Sequence, residues 1–257
     1  MAAILLDLDG VFHVSGEPIA GGSRAVERLR EQGHRLRFLT NNTTRPRARL
    51  AEEVRGFGVE LAEDELQTTP MAAARALAGK RVLALTMPSI REDLDGVDLV
   101  GEDAEAVLLG GADETGETNQ VFSYMNLARA FAELEAGADL YCLHKNPWWQ
   151  TRRGPLLDAG AFVVGLEYAT GASATVLGKP SASYFEAALE ALDADPENAW
   201  MVGDDVDADI GGAAALGMRT ILVRTGKFRD ETGAWSAQPN AVVDSIAEVP
   251  AFLESTT

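Results

Sequence analysis

Cysteine is all but missing from this 257-residue chain, with Cys142 standing alone. An internal disulfide and a cysteine-based zinc site are therefore excluded, and a reducing, cytoplasmic home is expected. Lysine is nearly as scarce: Lys80, Lys145, Lys179 and Lys227 are the whole set. No apolar run reaches 18 residues, so no transmembrane helix is expected. Asp7 comes too early for the apolar core of a signal peptide. What is abundant is negative charge, 40 Asp and Glu against 22 Lys and Arg, for a net charge of −18. Such a surface repels phosphate backbones and anionic headgroups, so neither nucleic acid nor membrane is an expected partner. An acidic, lysine-poor surface suits a high-salt cytoplasm, and a GC-rich genome would also replace Lys by Arg; both origins stay open. At 46% apolar residues the chain can offset its conformational entropy and fold. Its length exceeds the roughly 100–200 residues of one ordinary domain, so one large or two smaller domains are expected.

The pattern along the chain alternates strands and helices. Ala3-Ile4-Leu5-Leu6 is a short, continuous apolar run of the kind buried on both faces of a sheet. A helix over Ser23–Gln32 follows, then a strand at Leu36–Leu39 and a helix over about Pro46–Phe57. The far end alternates in the same way, with a helix at Ser183–Leu192, a strand at Ala199–Val202, a helix near Ala208–Leu216, and strands at Thr220–Val223 and Ala241–Val243. Such alternation implies right-handed crossovers and a parallel sheet. The middle is also α/β, with strands at Arg81–Leu85, Asp98–Val100, Ala106–Leu109 and Leu140–Leu143 and helices near Gln120–Leu134 and Asp158–Thr170. The expected fold is α/β, a doubly wound, Rossmann-like parallel-sheet core (1–76 and 174–257) interrupted by an inserted α/β domain (77–173).

In an open parallel sheet, ligands bind beyond the carboxyl ends of the strands. Four polar clusters fall at or near such ends: Asp7 with Asp9, Thr40 with Asn41, Lys179, and Asp204 with Asp205 and Asp209. Asp7 and Asp9 are two apart, so on an extended segment they share a face, where two carboxylates repel unless a cation lies between them. Carboxylates gathered from two distant segments suit a hard cation such as Mg²⁺. The calcium-loop pattern with its distal Glu is absent. Thr40-Asn41-Asn42 offers a hydroxyl and backbone N–H groups at the mouth of a helix, a natural phosphate seat, though simple N-capping would use the same residues. Lys179 does not belong to a Walker loop, since Ser173 stands at the first glycine position and Pro180 replaces the Ser/Thr. Placed after an apolar run, it can neutralise a phosphate. His144–Arg153 is a basic, aromatic stretch in an acidic chain. His144, Lys145 and Trp148 are candidates for contact with a leaving group; two tryptophans packed in a core with solvated arginines is the competing reading. Cys142 reads as core filler.

DLDGV at 7–11, TNN at 40–42, GKPS at 178–181 and GDDVDAD at 203–209 resemble, in order, the four motifs of the haloacid dehalogenase superfamily of hydrolases. The long insertion between the second and third motifs is similar to the α/β cap of the p-nitrophenyl phosphatase branch. Within that branch, VRTGKF (223–228), FSYMN (122–126) and LEYATG (166–171) resemble the phospholysine phosphohistidine inorganic pyrophosphate phosphatases and their relatives. The resemblance implies a Mg²⁺-dependent phosphatase acting on a small phosphorylated substrate. Asp7 would be the nucleophile, and Asp9 the general acid/base whose backbone carbonyl binds the metal. Thr40 and the Asn41 backbone would hold phosphoryl oxygens, and Lys179 would offset charge. Asp204 would be a metal ligand, with Asp209 and Asp205 supporting it from behind. The phosphohistidine phosphatases can carry Ser where this chain has Asp9. An exposed Asp9 would be ionised at neutral pH, so an acid role asks for burial or neighbouring negative charge. Caps of this branch often take part in dimer contacts, so a homodimer through the cap is one expectation. A phosphomutase and a non-hydrolytic aspartyl-phosphate signalling module remain as alternatives; a dehalogenase is disfavoured because it needs neither Mg²⁺ nor the Asp204 cluster.

Overall fold

The structure is a computed structural model that describes residues 1–113, 115–151, 153–228 and 235–256, leaving aside the side chain of Gln150. It divides into two compact units, one of residues 1–40, 48–67 and 179–257, the other of 41–47 and 68–178. The inserted range 77–173 thus falls inside the second unit, which reaches to 68 and 178 and also gathers 41–47.

The first unit is built on a six-stranded sheet in the order Ala241–Val243, Arg219–Val223, Ala199–Gly203, Ala3–Asp7, Arg35–Thr40, Leu66–Thr68. The pairings of Ala3–Asp7 with both neighbours are parallel, setting Leu6 beside Phe38 and Val202. All five residues of Ala3–Asp7 are buried, as its unbroken apolar run requires. Helices Gly22–Glu31, Arg47–Gly56, Ala182–Ala191 and Val249–Ser255 belong to this unit's α/β layers. Gly22–Glu31 buries Gly22, Ala25, Val26 and Leu29, a stripe at helical spacing, against a core holding Ile4, Leu6, Phe38 and Leu253. Strand order reverses around Ala3–Asp7: the chain first builds outward to one side, then returns to build the other. That switch point is where such sheets bind ligands, and Asp7, Thr40 and Gly203 end the three strands that meet there.

The second unit repeats the architecture with a five-stranded parallel sheet ordered Thr175–Val176, Asp139–Cys142, Ala106–Leu109, Arg81–Leu85, Asp98–Leu99. Cys142 is fully buried among Leu109, Leu140 and Val163, core filler as its sequence context suggests. Burial pushes its thiol up to about 12, so it stays protonated. No helix among the described residues is long and apolar enough to cross a membrane.

Two expected helices are interrupted. Instead of one helix over 120–134, Gly116–Val121 stops and Tyr124–Glu135 restarts, because Ser123 leaves the helical conformation and caps the Asn126 N–H through its hydroxyl at 3.3 Å. Instead of an α-helix from 208, residues Val206–Gly211 form a wider π-turn, with Ile210 N–H reaching back to the Asp205 carbonyl, before Gly212–Ala215 turns α-helical. Short elements escaped the sequence pattern altogether: the hairpins His13–Val14/Glu17–Pro18 and Trp148–Thr151/Gly154–Leu157, and the helix Thr69–Ala76.

Helix Ala182–Ala191 fastens two strand ends. The buried Tyr184 hydroxyl donates to the main-chain oxygens of Thr40 at 3.0 Å and Gln67 at 2.8 Å, and Gln67 Nε2 donates back to the Tyr184 carbonyl at 2.6 Å. Tyr184→Phe should destabilise the protein by about 1–2 kcal/mol, since it strips a donor from buried carbonyls. Urea denaturation measures this; an unchanged midpoint would show that the hydroxyl holds nothing.

Candidate active site

The sheet delivers Asp7 to the end of Ala3–Asp7, buried at its carboxyl terminus. Lys179, equally buried, donates from Nζ to Asp7 Oδ1 at 2.6 Å and to Asp209 Oδ1 at 2.6 Å. Asp209 projects from the π-turn, whose extra residue per turn sets Asp209 within reach of the Asp205 N–H, which donates to Oδ2 at 3.2 Å. Asp204 follows the strand Ala199–Gly203. Carboxylate oxygens of Asp7, Asp204 and Asp209 lie within 4.8 Å of one another.

Of the three buried carboxylates, Asp7 and Asp209 hold the Lys179 ammonium, and the Lys227 ammonium acts on Asp204. Burial raises Asp7 well above the usual carboxylate range; Lys179 pulls it down, and Asp209, Asp204 and Asp9 push it up again. Burial and the repulsion of Asp209 push Asp204 up to about 8. Burial also raises Asp209 against the opposing pull of Lys179. Lys179 goes the other way: burial would neutralise it, but Asp209 and Asp7 outweigh burial and hold it charged. Asp205, which helps to raise Asp204 and Asp209, shifts the other way itself. Burial would raise it, yet Lys227 and the Ala208 N–H hold it below its ordinary value, so it is a firm anion pairing with Lys227 Nζ at 2.8 Å.

The donor set fits a divalent cation. Asp7 gives Oδ1 to Lys179 and Asp204 gives Oδ2 to the Lys227 N–H at 2.6 Å, which leaves each carboxylate a second oxygen of the hard type a divalent cation takes. A hard, oxygen-seeking ion would compensate the burial, and the repulsion added to it, that lift the pKa values.

Backbone space is as specific as charge. A Cβ at Gly10 or at Gly226 would overlap Asp204 Oδ2, and one at Gly203 would overlap the Asp209 carboxylate. Gly10 and Gly226 also have positive φ, 79° and 66°, which glycine adopts without strain. Thr225 Oγ1 donates to the Gly10 carbonyl, tying the two Asp204-facing turns together. Thr225, Gly226 and Lys227 had no role assigned from sequence. Their signals were the VRTGKF stretch that contains them and its position just past the carboxyl end of strand Arg219–Val223.

Not every candidate joins this cluster. The chain turns out of the strand after Asp7, and the Asp9 side chain is 55% exposed, 3.7 Å from His13 Nε2, yet near enough for its charge to act on Asp7. Burial, one of the two conditions for an acid role, is not met by Asp9. Thr40 is buried at the end of its strand. The expected helix mouth is displaced, since helix Arg47–Gly56 begins only after the loop 41–46. In the second unit, Lys145 Nζ is spent on both oxygens of Glu167, at 2.8 and 2.6 Å. His144 is 3% exposed and closed in by Thr43 and Asp158. Trp148 is half-buried in the hairpin strand Trp148–Thr151. Arg152 of the same stretch lies outside the described residues.

Residues 4–100 match the family described as haloacid dehalogenase-like hydrolase, and residues 176–249 match one described as HAD-hydrolase-like. The chain is 38% identical to human haloacid dehalogenase-like hydrolase domain-containing protein 2 over 229 residues, covering 89% of this chain and 86% of that one. It is 39% identical to the phospholysine phosphohistidine inorganic pyrophosphate phosphatase of Xenopus laevis over 236 residues, covering 88% and 84%. The solved p-nitrophenyl phosphatase of Archaeoglobus fulgidus superposes with a TM-score of 0.88 at 27% identity, covering 98% of each chain. The chain therefore belongs to the haloacid dehalogenase-like hydrolase family.

Proposed function

We propose that this chain is a Mg²⁺-dependent phosphatase that hydrolyses small phosphorylated substrates through an aspartyl-phosphate on Asp7. The observation that carries the reading is the buried Asp7–Lys179–Asp209 array beside Asp204, a carboxyl nucleophile held by a buried ammonium. Asp7 Oδ2, free of the Lys179 hydrogen bond, attacks phosphorus in line with the leaving oxygen. Lys179 holds the other oxygen and offsets charge on the phosphoryl group, while Thr40 and the Asn41 backbone receive its oxygens. Asp7 and Asp204, with the Asp9 carbonyl, would hold Mg²⁺, which when bound adds positive charge at the phosphoryl oxygens. Asp9 delivers a proton to the departing oxygen and then takes one from the water that opens the acyl phosphate, restoring Asp7 and releasing inorganic phosphate.

The second unit takes the part of a cap that sets substrate range, with Lys145 and Trp148 as the residues to vary. A homodimer through this unit belongs to the same reading; Tyr124, Met125, Val164 and the 92%-exposed Tyr168 support it. Light scattering should give twice the chain mass, and a monomer would end that part of the proposal.

Phosphate release should be screened over p-nitrophenyl phosphate, sugar phosphates, pyrophosphate and phosphoramidates. Activity should vanish with chelator and return with Mg²⁺. Asp7→Asn, nearly isosteric, should cut turnover by about 10³-fold or more with the fold intact. Full turnover in chelator, or near-wild-type turnover in Asp7→Asn, would sink the assignment.

The raised pKa values add a pH test. A carboxylic acid with a raised folded-state pKa binds its proton more tightly when folded, so its ionisation removes stability as pH climbs from about 4 toward about 8 for Asp204. A cation competes with those protons. Saturating Mg²⁺ should therefore raise Tm by about 5 °C at pH 8 and by about half that or less at pH 5.5. Equal shifts at both pH values would mean that these carboxylates do not form the metal site.

A further inference from the structure

His144 lies in the second unit, yet its ring does not point into open space. The Asn146 N–H donates to Nδ1 at 3.3 Å, which makes Nδ1 the acceptor and puts the proton of the neutral ring on Nε2. Nε2 lies 3.2 Å from Thr43 Oγ1 and 3.7 Å from Asp158 Oδ1. Asp158 is itself fixed, accepting from the Ala159 N–H at 2.7 Å and the Ala112 N–H at 3.4 Å. Thr43 fills the space that Gly111 leaves, for a Cβ there would overlap its hydroxyl. Thr43, His144 and Asp158 are all buried, so a lost partner leaves a polar atom stranded away from water.

This network ends on the loop that joins strand Arg35–Thr40 to helix Arg47–Gly56. Residue 43 is two places from Asn41. Beyond it, Asn42 Oδ1 accepts from the N–H groups of Thr44 and Arg45 at 3.0 and 3.2 Å. Ser89 Oγ donates to the Thr44 carbonyl at 2.7 Å, and the Arg47 N–H donates to Asp93 at 2.7 Å. The loop is thereby pinned within its own unit, at 42 by a short-range turn, at 44 by Ser89, at 47 by Asp93 and at 43 by His144.

We propose that His144 is a positioning residue for the phosphate-binding loop, acting through Thr43 on every substrate alike rather than selecting among leaving groups. The proposal rests on the phosphatase reading for its kinetic consequence, though not for its structural one. It separates His144 from Lys145 and Trp148, with which the sequence grouped it.

The test uses the full-length chain with His144→Ala, Thr43→Val, their double variant and His144→Gln. Glutamine can place its amide Nε2–H where the ring presents its own. Hydrogen exchange should speed up about tenfold or more across residues 41–46 in both single variants, while Ala106–Leu109 stays protected. The inhibition constant for inorganic phosphate should rise about five- to tenfold in each single variant. The double variant should be no worse than the worse single one, because both cut the same link. His144→Gln should stay within about twofold of wild type. The ratio of kcat/KM for a large and a small substrate should not move. Unchanged exchange, multiplying effects in the double variant, or a shifted substrate ratio would each overturn the proposal. Exchange needs no turnover, so it decides the positioning claim even if Asp7→Asn were to refute the phosphatase reading.

Discussion

One buried ammonium organises this molecule's site. Lys179 is sealed from solvent, and burying an unpaired charge costs several kcal/mol after relaxation. It remains charged because Asp7 and Asp209 each hold it at 2.6 Å. Those two contacts join three places far apart in sequence: the end of the first strand, the return of the chain from the second unit, and the turn after Ala199–Gly203. The pairing neutralises only part of the local charge. Asp204 stays pressed between Gly10 and Gly226 with its pKa lifted, and that surplus of negative charge is what makes a divalent cation the fitting complement.

The backbone conforms to the same constraint. Val206–Gly211 departs from α-helical geometry, and its wider turn carries Asp209 to Lys179 while Asp205 caps the turn and pairs with Lys227. Tyr184 braces the strand ends on the other side through Thr40 and Gln67. Each device fixes a polar group at a carboxyl edge of the sheet, where strand order reverses and a ligand can enter without breaking the ladder.

Much of the architecture was legible because its signal is local. Ala3-Ile4-Leu5-Leu6 and Ala199-Trp200-Met201-Val202 are apolar throughout, as strands covered on both faces must be, and Ala25, Val26 and Leu29 recur at helical spacing. The breaks at Ser123 and Val206–Gly211 escaped the helical pattern, since the first is a local side-chain cap within a stretch that reads as continuous helix and the second a wider turn with no period of its own. Short hairpins carried too few residues for a period to register.

The four motifs determined, from sequence alone, which residues are candidates for the chemistry: Asp7, Lys179, Asp204 and Asp209 are chemically distinctive residues set at strand ends. Only the tertiary structure decided how they divide. Asp7 and Asp9, two apart, differ in exposure because the chain turns after the strand and leaves one carboxylate buried and the other in reach of solvent. Lys145 and His144, adjacent in one basic stretch, separate because one reaches Glu167 and the other closes on Thr43 and Asp158. Sequence spacing fixes what a residue can do chemically; burial and partners, which depend on segments a hundred residues away, decide whether it is charged, held or free to act.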